Sequence, residues 1–391
     1  MQQGTVKHQF INTAAGLATF AEECKDVKWM GFDTEFIGEK RFYTLLCLIQ
    51  VSVEHGYYLI DPLAIDDLGP FLQFLEDPDV VTITHAGDND YRLLYQQFGT
   101  IPQNIFDTQV AAGFIGHRYP MSFGKLVEAE TGTQLGKGFA VTDWTQRPMS
   151  SKQVKYALND VIYLRPLYDS IMEKLAANGR QSWALEECAI FSDPDYFYRD
   201  PNHEFLNSNI ARSSRTKERL FLLRLYQWRQ KTAEEKNYSK EMILQSKVIS
   251  QIVRGVRGGM DAMLDNRRLP QKTVKRYGEM FIRFYNREGT PEELEVVNSI
   301  RRSSREEEED DMLIELLYLI MKYRASEAEI SHALVMPRNA IKRMKQEPKV
   351  RQKLIGSGWR SELLGEDFVK WIENFEHLKL KIEGGKISLI A

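Results

Sequence analysis

Two acids two residues apart in an apolar stretch are the first feature with chemical potential. In residues 30–36, MGFDTEF, an extended strand would place Asp33 and Glu35 on one face and Phe32, Thr34 and Phe36 on the other. Adjacent carboxylates repel, and burying either without a partner is costly. A divalent cation resolves that conflict, and hard oxygen ligands suit Mg²⁺ or Mn²⁺ better than zinc. On its own the pair is commonplace, and an edge strand with both acids in water is the plainer reading. Two later clusters add to it. His85-Ala86-Gly87-Asp88-Asn89-Asp90 puts acids at a strand-to-helix junction, where Asp88 could equally be a helix N-cap. Tyr156 and Asp160 stand at i and i+4, on one face of a helix, a spacing that a surface pair would also satisfy.

The elements that must position these residues are legible as hydrophobic periods. Residues 13–24 place Leu17, Phe20 and Ala21 at helical spacing. Strands are expected over 45–53, 57–60, 80–84 and 105–108, with a helix over 88–98. Three hairpin-like strands followed by strand–helix alternation predict a mixed sheet with helices packed on it. A helical piece near 123–130 leads into a polar loop. Ser150 followed by Gln153 is a capping box that starts a long helix near residue 151, and Pro166 predicts a bend or break within it. Residues 186–209, with Asp-Pro twice and no period, read as a linker. A helix over 217–235 follows, with shorter helices to about 287. The charge run RRSSREEEEDD at 301–311 reads as a second linker or a solvated helix start. A further helical region spans 312–375, and alternation on both sides of Gly384-Gly385 predicts a hairpin.

Composition narrows the classes. At 391 residues, 43% apolar and 27% charged, the chain reads as an ordinary globular protein of two or three domains. There is no basic–apolar leader and no run of 18 apolar residues, which argues against a signal peptide or a membrane span. Cys24, Cys47 and Cys188 suggest neither a disulfide framework nor a zinc site. A cytoplasmic location, no membrane partner and no organic cofactor are the expectations. Net charge is −3, but its distribution is uneven. Residues 211–290 carry 19 Lys/Arg against 8 Asp/Glu, and the remainder 33 against 47. A basic module on an acidic body points to a polyanionic partner, although long basic side chains also simply solvate helices.

In this order and spacing, FDTEF followed by LCLIQV, then HAGDND, TDWTQRP and YALNDVIYL, resemble the tyrosine subgroup of the DEDD superfamily of 3′→5′ exonucleases, and within it the ribonuclease D family. The resemblance covers roughly residues 10–205. It implies an α/β, ribonuclease H-like mixed-sheet exonuclease domain (residues 1–205) and two all-α HRDC-like domains (211–290 and 306–391); the C-terminal β-hairpin that closes the last of these comes from the alternation alone and is not part of the family's pattern. LYQWRQKTAEEKN and VKRYGEMF carry the likeness to the first HRDC domain, and GWRSELLGEDFVKWI to a more divergent second one.

The implied catalytic residues are Asp33, Glu35, Asp90, Tyr156 and Asp160, the four acids holding two divalent cations, Mg²⁺ or Mn²⁺. Asp33 would bridge both ions; Glu35 and Asp160 would complete the site of the attacking water, and Asp90 would hold the second ion. Tyr156 would orient that water and could take its proton. The implied reaction releases 5′-mononucleotides from an RNA with a single-stranded 3′ end, with tRNA precursors the implied substrates. His85 could contact the terminal nucleotide or be satisfied locally. Phe36 could stack on the terminal base, though its alternation with Phe32 and Thr34 favours the core. A glycine-containing hairpin usual in HRDC domains is replaced by Asn266-Arg267-Arg268-Leu269-Pro270, where Arg267, Arg268 and Lys272 could meet phosphates by charge, while Trp228 reads as core. A helicase-associated type of DNA exonuclease and a catalytically inert nucleic-acid scaffold are the alternatives. The presence of all four acids weighs against the inert one.

Overall fold

The computed structural model describes residues 6–136, 142–300, 306–336, 355, 357–366, 368–370, 379–383 and 386–390. They form two compact units. The first joins residues 1–35 and 46–197 with 308–391; the second comprises 36–45 and 198–307. The expectation of a separate third domain over 306–391 therefore meets a different arrangement. Leu317, Ile320, Leu334 and Trp359 lie in one core with the sheet residues Phe32, Ile49 and Ile83. An amphipathic helix displays an apolar face in its sequence without saying what that face will cover.

The sheet of the first unit contains β1 (Gln9–Ile11), β2 (Trp29–Ile37), β3 (Leu45–Val53), β4 (Gly56–Ile60), β5 (Val81–Thr84) and β6 (Ile105–Asp107), in the order β1-β4-β3-β2-β5-β6. β2 runs parallel to β5, β5 to β6 and β1 to β4, while β3 and β4 are antiparallel. β3, a nearly continuous apolar run, sits in the middle and is buried along almost its whole length, as expected for a strand covered on both faces. β1 was too short to show a period of its own.

Helices cover the sheet: α1 (Ala14–Glu23), α2 (Gly69–Glu76), α3 (Asp88–Phe98), α4 (Thr108–Ala112), α5 (Phe123–Thr131), α6 (Ser151–Ile162), α7 (Leu164–Ala177) and α8 (Gln181–Cys188). The Thr13 hydroxyl caps α1 by accepting from Gly16 N–H, and Leu17 and Phe20 turn inward. Ser150 and Gln153 form the expected capping box of α6. The helix breaks at Tyr163, three residues before Pro166, where the ring denies the backbone a donor. Residues 186–197 are not a linker. Cys188, Phe191 and Phe197 are buried in the first unit's core, and short helices carry the chain onward.

In the second unit, the helix Thr216–Lys236 packs with Ser246–Val256, Gly259–Asp265, Gln271–Asn286 and Pro291–Asn298. The connection between β2 and β3 belongs to this unit: Tyr43 N–H donates to Asn237 Oδ1 (2.9 Å) and Tyr43 Oη–H to Glu234 Oε1 (2.9 Å). Of the charge run, residues 301–305 lie outside the described residues, and Glu306–Glu327 is a helix. Lys379–Glu383 and Lys386–Ile390 pair antiparallel. Among the described residues no helix is long and apolar enough to cross a membrane.

Candidate active site

β2 and α6 supply the chemistry. Gly31 lets β2 and the start of α7 approach: a Cβ there would stand 2.5 Å from Ser52 Oγ and 3.1 Å from Leu164 Cδ1, so with any larger residue one of these side chains must shift. Two residues further along β2 on the same face is Asp33, and one turn before Leu164 is Asp160. The result is that Asp33, Glu35 and Asp160 each offer a carboxylate oxygen within 4.8 Å of the others.

Three acids so close are held against their own repulsion. Burial, then the charges of Asp90, Asp160 and Glu35, hold the Asp33 carboxyl well above the usual carboxylate range. Burial and then the charges of Asp160 and Asp90 push Glu35 up to about 8. Burial lifts Asp160 to about 7, and its Oδ2 is buried with no hydrogen-bond partner among the described residues. The donor set fits a divalent cation: hard oxygens, uncompensated negative charge, and a buried oxygen left to coordinate.

Asp90 reaches the centre differently. It lies in the first turn of α3, 7% exposed, and accepts a hydrogen bond from the Thr34 hydroxyl on the other face of β2. It stands outside the 4.8 Å group, yet it is the largest of the neighbouring charges acting on Asp33. Burial pushes Asp90 itself up to about 7, against the lowering effect of the Thr34 hydroxyl. Its turn is fixed by Asp107, which had no signal in the sequence. Asp107 Oδ1 accepts from the backbone N–H groups of Ala86 (3.1 Å) and Gln109 (2.8 Å), and Oδ2 from that of Gly87 (2.8 Å). One carboxylate thus caps α4 and holds Ala86 in the left-handed region at φ 58°.

Tyr156 lies among the acids. Burial and then the charges of Asp160, Glu35 and Asp33 raise its hydroxyl well above the usual tyrosine range, so it is a phenol and a donor. The Trp144 ring packs beside it at 6.0 Å, and residues 144–147 are held in turn by Arg147. Arg147 Nε and Nη2 donate to the two oxygens of Asp61 (both 2.7 Å), Nη2 also to Cys47 C=O (2.7 Å), and Nη1 to Trp144 C=O (2.8 Å) and Gln146 C=O (2.9 Å). The TDWTQRP segment is thereby tied to β3 and to the end of β4. Sequence could not show this, because Asp61 and Arg147 are 86 residues apart.

The structure decides between readings at some other residues and corrects the expectation at others. His85 is satisfied locally: Nδ1 meets Thr108 Oγ1 at 2.9 Å and Nε2 meets Met121 C=O at 3.0 Å, which leaves neither ring nitrogen for a nucleotide. Asp88 is not an N-cap. Gly87 holds that position, and Asp88 accepts from Arg92 Nε (2.7 Å) and Tyr196 Oη–H (2.7 Å). Phe36 is 37% exposed rather than core, next to the last residue of β2. In the helical unit Trp228 packs edge-on against Tyr277 (4.8 Å) and Phe281 (5.7 Å), as a core residue should. Arg267, Arg268 and Lys272 are exposed, and among the described residues no ion pair engages them.

Comparison with known proteins gives the same picture. Residues 8–176 match a 3′–5′ exonuclease family and residues 219–285 an HRDC domain. Ribonuclease D of Sphingobium indicum is 29% identical over 98% of both chains, and that of Cronobacter turicensis 28% identical over 93% of this chain and 100% of its own. The crystal structure of Escherichia coli RNase D, described as an exoribonuclease involved in structured RNA processing, superimposes with a TM-score of 0.80 at 25% identity, covering 95% of this chain and all of that one. With two domain families matched in order and ribonucleases D aligned over 93–98% of its length, the chain is similar throughout to the ribonuclease D family, and residues 8–176 match that of the 3′–5′ exonucleases.

Proposed function

We propose that this exoribonuclease removes nucleotides one at a time from the single-stranded 3′ end of structured RNA, tRNA precursors among them, releasing 5′-mononucleotides. The observation that carries the reading is the convergence of Asp33, Glu35 and Asp160 within 4.8 Å at a site where each carboxyl is pushed above its ordinary range. Two divalent cations, Mg²⁺ or Mn²⁺, would supply an acidified attacking water and charge stabilisation at the attacking and leaving oxygens. Asp33 would serve both ions, Glu35 and Asp160 the one beside the attacking water, and Asp90 the other, from its separate position in α3.

Tyr156, placed among the acids, hydrogen-bonds the attacking water and fixes the direction of attack. Phe36, exposed one residue beyond Glu35, offers an aromatic face to a terminal base of any identity. Arg267, Arg268 and Lys272 present exposed positive charge for the RNA backbone. Three buried cysteines, none bridged, suit the reducing cytoplasm.

The test uses 5′-end-labelled RNA and DNA of one sequence, with Mg²⁺ or EDTA, for the wild type and Asp33→Ala. A ladder of 3′-shortened RNA that vanishes on chelation and in the variant supports the reading. Preferential shortening of DNA would make the chain a DNA exonuclease, and internal cuts or an active variant would reject the mechanism.

A further inference from the structure

Gln50 is fully buried, at 0% exposure, and neither its Oε1 nor its Nε2 has a hydrogen-bond partner among the described residues. A carboxamide stranded in this way destabilises a fold, because its lost hydration is not replaced. Besides Gln50, only Thr82 and Asp160 carry such atoms among the described residues. Thr82 is paired with Met30, on the sheet face away from the acids. Asp160 belongs to the acidic centre.

The strand register places Gln50 beside that centre. β2 and β3 are neighbours, and the connection between them, residues 38–44, is too short for a parallel crossover, so they run antiparallel. Ser52 Oγ lies against Gly31, close to Gly31 C=O and on the side covered by Leu164. Moving two residues along each strand on this same face brings Gln50 opposite Asp33, at a Cα separation of about 4.5–5.5 Å. A group with two donor hydrogens and an acceptor oxygen therefore flanks a carboxylate that a cation would fix as an anion.

We propose that Gln50 is a positioning residue of the metal centre, its buried carboxamide unpartnered next to Asp33 because its hydrogen bonds are made to Asp33 and to the cations' water when the centre is loaded. This rests on the reading of the acids as ligands. Gln50 Nε2–H holds the Asp33 oxygen that is turned away from the ions, which fixes the carboxylate's orientation. The metal-free protein carries the cost of an unsatisfied amide, and the loaded protein recovers it.

Leucine is nearly isosteric and has nothing to satisfy, so Gln50→Leu separates the two states. Wild type, Gln50→Leu, Gln50→Met and Asp33→Asn are melted in EDTA, and each is titrated with Mn²⁺ by calorimetry. We expect Gln50→Leu and Gln50→Met to melt higher than wild type in EDTA yet to bind Mn²⁺ about 10-fold more weakly, the scale of lost outer-sphere partners. A Gln50→Leu protein that melts lower in EDTA, or one that binds Mn²⁺ as wild type does, overturns the proposal, since Gln50 would then be only a packing residue. Asp33→Asn distinguishes the two levels of failure. If it binds Mn²⁺ as tightly as wild type, the acidic centre itself is misread; if it loses binding while Gln50→Leu keeps it, Gln50 alone is.

Discussion

Buried charge is handled in opposite ways by the helical unit and by the acidic centre of the sheet unit. In the helical unit Arg229, 2% exposed at its side chain, donates to Glu204, to Glu241 Oε1 (2.7 Å), to Ser246 Oγ (3.0 Å) and to Lys240 C=O (3.1 Å). Arg224 likewise meets both oxygens of Glu293 and the carbonyls of Phe284, Arg287 and Glu288, and its guanidinium holds Glu293 down to about 2. Each of these cations finds its neutralising partner inside the fold. In the sheet unit, Asp33, Glu35 and Asp160 are gathered with no basic side chain paired to them among the described residues, and the whole set is pushed toward protonation. Balanced burial is architecture. Unbalanced burial is a site, and its stability is given up for a ligand.

Removing one member from each cluster should therefore give opposite results. Asp33→Asn should cut RNA-shortening activity by at least about 1,000-fold, because the several kcal/mol supplied by the ions is lost. The same variant should melt higher than wild type in EDTA, since one of the mutually repelling charges is gone. Arg229→Ala should instead destabilise by roughly 3–5 kcal/mol, as Glu204 and Glu241 lose a shared partner; denaturant unfolding reads this. A variant pair behaving the other way round would erase the distinction. Tyr156→Phe should lower kcat about 100-fold with KM little changed, since a hydrogen bond to the attacking water is made fully only during reaction.

The pH dependence sharpens the contrast further. Glu35, Asp90 and Asp160 titrate higher when folded than when unfolded, so their contribution to stability is complete below about pH 4 and is lost as pH rises toward 7–8. In EDTA the melting temperature should fall across that interval, and saturating Mn²⁺ should abolish the fall. Glu293, held low, has the opposite sign: its stabilisation is present above about pH 4.5 and is lost only as pH falls toward 2. The smallest effect is expected at Arg267 and Arg268. Reversing both charges should weaken RNA binding by a few-fold at low salt and hardly at all at high salt, in a filter-binding series.

The legible parts of the site were those whose signal is local. The period of a strand put Asp33 and Glu35 on one face, and that of a helix Tyr156 and Asp160, but choosing them as site residues took the family's motifs. Asp90 needed the family's order of motifs, since one acid among HAGDND is chosen over another only by where α3 begins; the structure gives Asp88 to Arg92 and Tyr196 instead. Asp107, Gln50 and the Asp61–Arg147 pair were invisible. An acid that caps one turn and pins another looks like any acid, and a glutamine in LCLIQV looks like an interruption of a core strand. The same limit applied to His85, whose two partners, Thr108 and Met121, come from separate later elements.

The discontinuous composition of the first unit also bears on how the protein is made. Strands β1–β6 leave the ribosome early, but their core is completed by Leu317, Ile320 and Trp359 near the other end of the chain. Trp359 and Arg360 are fastened there by the Glu187 carboxylate. At roughly 5–20 residues per second, more than a hundred residues of translation separate the last catalytic acid from the closing of that core. The strands that carry the acids therefore emerge well before the residues that complete their core.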